Sequence, residues 1–156
     1  MNDTKVRYLQ ETRGHVRMVQ TFLSELSNEL FFRGIIHDNS KFYEPELTGF
    51  SENVNTVPNL VYGSEEHAKR QAEMKSVIDL HHKENRHHPE HWDNGVDDMS
   101  LLDIIEMLVD WKCASMRYKN GSLKSSLDIN CEKYNISPQL KKILINTIRD
   151  HFPEDL

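Results

Sequence analysis

The sequence predicts an all-α protein, a single domain of about five to seven helices, and three observations carry that reading. Apolar residues recur at steps of three, four and seven instead of alternating. Glycine and proline are sparse, six and five in 156 residues, and few segments look like strands. The length suits one domain with a real core and no disulfide staples. The 37% hydrophobic and 28% charged composition is that of a soluble globular chain. No apolar run approaches the ~20 residues of a membrane span, and the opening Met1-Asn2-Asp3-Thr4-Lys5 lacks a secretory pattern. A cytoplasmic protein with no membrane partner is expected. Nineteen basic against 25 acidic side chains, a net charge of −6, argue against duplex DNA as a partner. Cys113 and Cys131 are too few for a disulfide framework and suit a reducing compartment.

A first helix runs from residue 3 or 4 to 26, with Leu9, Val16, Val19, Leu23, Leu26 and Leu30 along one face; Gly14 weakens it without forbidding it. A short second helix spans 28–36 and ends before His37-Asp38. Residues 49–63 are rich in turn formers and read as a lid or a connector. Ser64 caps a helix that runs through Met74, Val77 and Ile78 to Lys83, where Asn85 and Pro89 stop it and His67 shares a face with His81. A strongly apolar helix over 100–117, opened by the capping box Ser100-x-x-Asp103, is central to the core. Further helices follow over 122–134 and from Ser137-Pro138 onward, the last with Leu140, Ile143, Leu144 and Ile148 as its buried stripe. No repeat and no coiled coil is expected from this pattern.

Histidine is the oddity of the composition: nine residues, five of them, His81, His82, His87, His88 and His91, within eleven positions. A helix terminus followed by a turn can aim several imidazoles at one point, and His82 and His91 are the bystander candidates. At the end of the second helix the backbone turn lets neighbouring His37 and Asp38 converge on one ion, and the aspartate could bridge two. Taken alone, the pair reads as an ordinary polar helix end. His15 is predicted to point inward with Val19 and Phe22, as a core histidine or a ligand. Asp103, Glu106 and Asp110 line up on the apolar helix, and Asp110 is either solvated or partnered. Imidazole nitrogen with carboxylate oxygen suits Fe, Mn, Co, Ni or Zn better than Mg or Ca.

Set in order, His15, His37-Asp38, the histidine cluster and Asp110 resemble the H, HD, H, H, D succession of the HD-domain metal-dependent phosphohydrolase superfamily over roughly residues 10–115. His37-Asp38-Asn39-Ser40-Lys41 is similar to the HD-x-x-K form of HD-GYP phosphodiesterases, although Ser40 replaces their glycine and the Gly-Tyr-Pro signature is absent. Ile36-His37-Asp38-x-Ser40-Lys41-Phe42, Glu46, His81-x-x-x-Asn85-x-His87-His88-Pro89-Glu90-x-Trp92 and Glu106-Met-x-x-Asp110-Trp111 resemble more closely a small bacterial and phage family of HD-like proteins.

The resemblance implies an HD-like domain with its metal-site core at about 10–115, the helices of 122–152 packing on it. It implies His15, His37, Asp38 and Asp110 around one divalent transition metal and His81, His87 and His88 around a second, with Asp38 bridging and His67 in reserve. The function expected is phosphomonoester or phosphodiester hydrolysis on a small nucleotide-like substrate. Lys41 would contact phosphate, Glu106, one turn from Asp110, would orient a ligand or act as base, Asp38 would be catalytic as well as a ligand, and Asn85 and Arg86 would contact substrate. Glu46 would support a ligand from behind. Two rivals remain: a di-iron HD-type oxygenase that keeps the same site, and a non-enzymatic metal- or partner-binding helical module, for which His15 and Asp110 would be dispensable. A monomer and a homodimer are equally compatible with the charge and apolar content.

Overall fold

Seven α-helices and no strand make up the regular structure of the described residues, 2–53, 60, 61, 63–118 and 121–155, in the computed structural model. The all-α expectation is met. The chain divides into two compact units, Met1–His37 and Asp38–Leu156.

The first unit is one helix, α1 (Asp3–Ile36), started by the Asn2 side chain accepting from the Lys5 amide at 3.1 Å. Two helices were predicted here, but Ser27 and Asn28 lower helix propensity by only tenths of a kcal/mol each, and no proline interrupts the hydrogen-bond ladder. The stripe from Leu9 to Leu26 stays exposed, and so does His15, which was expected to turn inward.

The second unit opens with a 3₁₀ turn at Asn39–Phe42, followed by α2 (Glu46–Ser51), α3 (Glu65–Glu73) and α4 (Lys75–Glu84). Residues 49–51, read from sequence as loop, are therefore helical; 54–59 and 62 lie outside the described residues. The single helix predicted over 64–83 breaks at Met74 (φ −95°, ψ 7°), which is buried while its polar neighbours remain exposed. The break removes the helical phase that would have put His67 and His81 on one face. At Gly49 a Cβ would lie 2.8 Å from Val77 Cγ2, so the absent side chain is what lets α2 approach α4. That contact falls one turn from both Glu46 and His81.

The core joins α5 (Leu101–Ser115), α6 (Leu123–Lys133) and α7 (Pro138–His151): Met107, Leu108 and Trp111 pack with Leu127, Leu144 and Ile148. The helices of 122–152 contribute Leu127, Leu144 and Ile148 to this core. On α7, Leu144 and Ile148 are buried as predicted, whereas Ile143 is exposed. The predicted capping box is present, and its Asp103 is 0% exposed. The Asp103 carboxylate accepts from the Ser100 amide at 2.9 Å, the Ser100 hydroxyl at 2.7 Å, and Arg86 Nε and Nη2 at 2.7 and 3.1 Å. The guanidinium thereby ties the segment that follows α4 to the start of α5.

Leaving that guanidinium and two Ser100 donors without their acceptor should make Asp103→Ala costly, about 3 kcal/mol in urea unfolding. Arg86→Ala, at a half-exposed position, should cost less than half as much.

Candidate metal centre

Four potential ligands of the second unit converge: Asp38, His81, His87 and His88 each offer one donor atom, all within 4.8 Å of one another. Chain geometry brings them there. Asp38 follows α1 with φ 55°, in the left-handed region that aspartate tolerates better than most residues. Its carbonyl accepts from the Lys41 amide at 2.9 Å and so begins the 3₁₀ turn. His81 lies in the last turn of α4, and Asn85 ends that helix with its side-chain amide donating to the His81 carbonyl at 2.8 Å. The next turn, with the His88 amide on the Asn85 carbonyl, swings His87 and His88 back toward His81.

The donor separations are those of a coordination shell. His81 Nε2 lies 3.2 Å and His87 Nε2 3.5 Å from Asp38 Oδ1, and His88 Nε2 lies 3.0 Å from His81 Nε2. Ligands at about 2.1 Å from one ion stand about 3.0 Å apart in an octahedron and about 3.4 Å apart in a tetrahedron.

Behind the donors, His81 Nδ1 lies 2.9 Å from Glu46 Oε2, and His87 Nδ1 lies 3.3 Å from Glu106 Oε1. A carboxylate on Nδ1 fixes the tautomer and turns the Nε2 lone pair toward the common point, the usual support of a metal-bound histidine. His81 has a carboxylate at each nitrogen, Glu46 Oε2 at Nδ1 and Asp38 Oδ1 at Nε2, so Nε2 either hydrogen-bonds Asp38 or, with an ion between them, joins it as a ligand. Glu46 itself is buried, accepts from the Ser40 hydroxyl at 3.0 Å, and Ser40 in turn accepts from Asn85 at 2.8 Å.

The charges suit a cation. Burial disfavours the ionised form of Asp38, but the hydrogen bond with His81 and the charge and hydrogen bond of Lys41, whose Nζ is 2.5 Å from Oδ2, outweigh it. The carboxyl is held well below the usual range. Burial, reinforced by the neighbouring His87, His82 and His81, pushes His88 far below the ordinary imidazole value, which keeps it neutral. Burial lowers His82 in the same sense.

The remaining predicted residues distribute as follows. Asp110 is half-buried on α5, with a carboxylate oxygen within 4.8 Å of one of Asp38. Lys41 is paired with Asp38, 5.0 Å over the Phe50 ring. Glu106 orients His87. Asn85 is committed to Ser40 and the His81 carbonyl, and Arg86 to Asp103, so both expected substrate contacts act in this structure as braces. His67 lies against Tyr118, Nε2 to Oη 3.3 Å, and is not among the four. His91 Nδ1 donates to the Lys83 carbonyl at 2.6 Å, and His82 Nδ1 is 3.4 Å from Glu90. His37 ends α1 as the last residue of the first unit, and His15 lies about 33 Å up the helix from it at 1.5 Å per residue. While α1 is continuous, those two imidazoles of one chain cannot share an ion. Ser40 and Phe50 were not singled out as site residues; their partners lie 6 to 45 residues away, beyond the reach of any local pattern.

Glu46→Gln should lower affinity for Zn²⁺ or Mn²⁺ by roughly 10- to 100-fold in competition titrations while helical content persists. The metal-free protein should lose stability as pH falls below 6.5, the ordinary value of His88 and His82. The unfolded chain there takes up protons that the folded form refuses, a slope of up to about 1.4 kcal/mol per pH unit for each group. Thermal melts of His88→Gln should show a shallower acid limb.

Neither the curated proteins nor the solved structures include a match. A family model described as a family of unknown function, DUF5662, matches residues 4–150, and the chain therefore belongs to that family.

Proposed function

We propose that this protein is a metal-dependent phosphohydrolase, acting on a small phosphorylated, nucleotide-like substrate at the site built from Asp38, His81, His87 and His88. The observation that carries the reading is the set of three imidazoles and one carboxylate at coordination-shell spacing, with carboxylates behind His81 and His87. The nucleotide class rests on the resemblance to the HD-domain superfamily. When bound, a divalent transition ion would supply an acidified water and neutralise phosphate oxygens.

The chain's own residues provide the rest. Lys41 holds a positive charge at the edge of the site, on Asp38 Oδ2, from which a phosphate could draw it. Glu46 and Glu106 fix the two imidazoles, so that no ligand has to reorganise when substrate arrives. Asp38 stays ionised to low pH and cannot serve as a proton donor near neutrality. Asp38 and Asp110 would be the carboxylates available to hold a second ion, which the sequence leads one to expect.

Elemental analysis of tag-free protein should find at least one transition metal per chain, with hydrolysis of p-nitrophenyl phosphate or its bis-ester supported by Mn, Fe, Co or Ni. Asp38→Asn should lose both metal and activity. Lys41→Ala should keep the metal and lose on the order of 10²-fold in kcat/KM. Full hydrolysis by a metal-free Asp38→Asn protein would overturn the proposal.

A further inference from the structure

The continuity of α1 carries the apolar face read from sequence along a single helix to Leu30. Leu9, Val16, Val19, Leu23, Leu26 and Leu30 fall on the a and d positions of one heptad register, with Thr12 filling the d place of the first repeat. On a helix about 51 Å long, four turns or more of this seam lie open; Leu23 is 60% and Val16 56% exposed. An amphipathic helix owes most of its stability to the partner on its apolar face, so a seam of this length calls for one.

The charge pattern says which partner. Residues 3–19 carry four basic side chains, Lys5, Arg7, Arg13 and Arg17, against Asp3 and Glu11, whereas residues 20–36 carry Glu25 and Glu29 against Arg33. The basic half therefore complements the acidic half of another copy running the opposite way, while a parallel arrangement sets like on like.

We propose that α1 is a dimerisation helix, through which two copies of this chain pair antiparallel about a two-fold axis near Thr21. In that register Val16 of one copy meets Leu26 of the other, and Val19 meets Leu23 twice over. On the flank His15 faces the second copy's Glu29, which gives that exposed histidine an acidic neighbour. A symmetric pair closes on itself and covers Val16, Val19, Leu23 and Leu26 of both copies, while Leu9 falls opposite Arg33 and Thr12 opposite Leu30.

Sedimentation and light scattering at tens of micromolar should find a particle of twice 18.3 kDa. Leu23→Glu, which sets a charge in two symmetry-related core layers, should weaken association at least ~100-fold. A second measurement leaves the seam untouched: spin labels on Thr21→Cys or Lys5→Cys, each with exposed Cys113 replaced by Ser. The antiparallel pair should give about 20 Å between labels at residue 21 and about 48 Å between labels at residue 5, from 1.5 Å of rise per residue. Short distances at both positions would mean a parallel pair and overturn the proposal. A monomeric wild-type chain, or a dimer indifferent to Leu23→Glu, would overturn it equally.

Discussion

The candidate site depends on one buried imidazole. His81, 3% exposed, is gripped at Nδ1 by Glu46 and turns Nε2 toward Asp38 Oδ1, so it links α4, α2 and the turn after α1 through its two nitrogens. A buried carboxylate such as Glu46 is tolerable only when hydrogen-bonded, and the Ser40 hydroxyl and His81 supply those bonds. Asn85 closes the ring by bonding both Ser40 and the His81 carbonyl. Each member is held by at least two others, which restricts the rotamers of the side chains that converge at the candidate site.

Around that ring the electrostatics are arranged in opposition. Burial and the neighbouring imidazoles keep His88 neutral, while His81 and Lys41 keep Asp38 charged. The result is a concave group of lone pairs with one negative charge, which a divalent cation satisfies better than any side chain nearby. The left-handed backbone at Asp38 belongs to this arrangement. It costs about 1 kcal/mol relative to ordinary geometry, and it turns the chain directly into the 3₁₀ segment that carries Ser40 and Lys41.

The α5–α7 core is the rigid reference for this site. Trp111 stacks on Tyr134 with ring planes 7° apart, and Met107 and Leu108 bury the face of α5 next to Glu106. The Arg86–Asp103 pair fastens the segment bearing His87 and His88 to the same helix. Its carboxylate is fully buried and its guanidinium half-exposed, so desolvation falls mainly on one partner, and the four hydrogen bonds at Asp103 offset it.

Sequence alone determined the all-α class, the capping box at Ser100 and the N-caps at Ser64 and Ser137, because these depend on residues within one or two turns of each other. It also singled out Asp38, His81, His87 and His88, since paired histidines at a helix end are unusual in composition whatever the fold. Only tertiary structure decided which of the histidines converge, that Glu46 and Glu106 stand behind His81 and His87, and that Arg86 and Asn85 serve as braces, because those contacts join residues 4 to 45 positions apart. It decided as well that α1 is unbroken and His15 exposed. Propensity near Ser27 and Asn28 is too nearly balanced to place a break, and helical periodicity marks a face as apolar without saying what covers it.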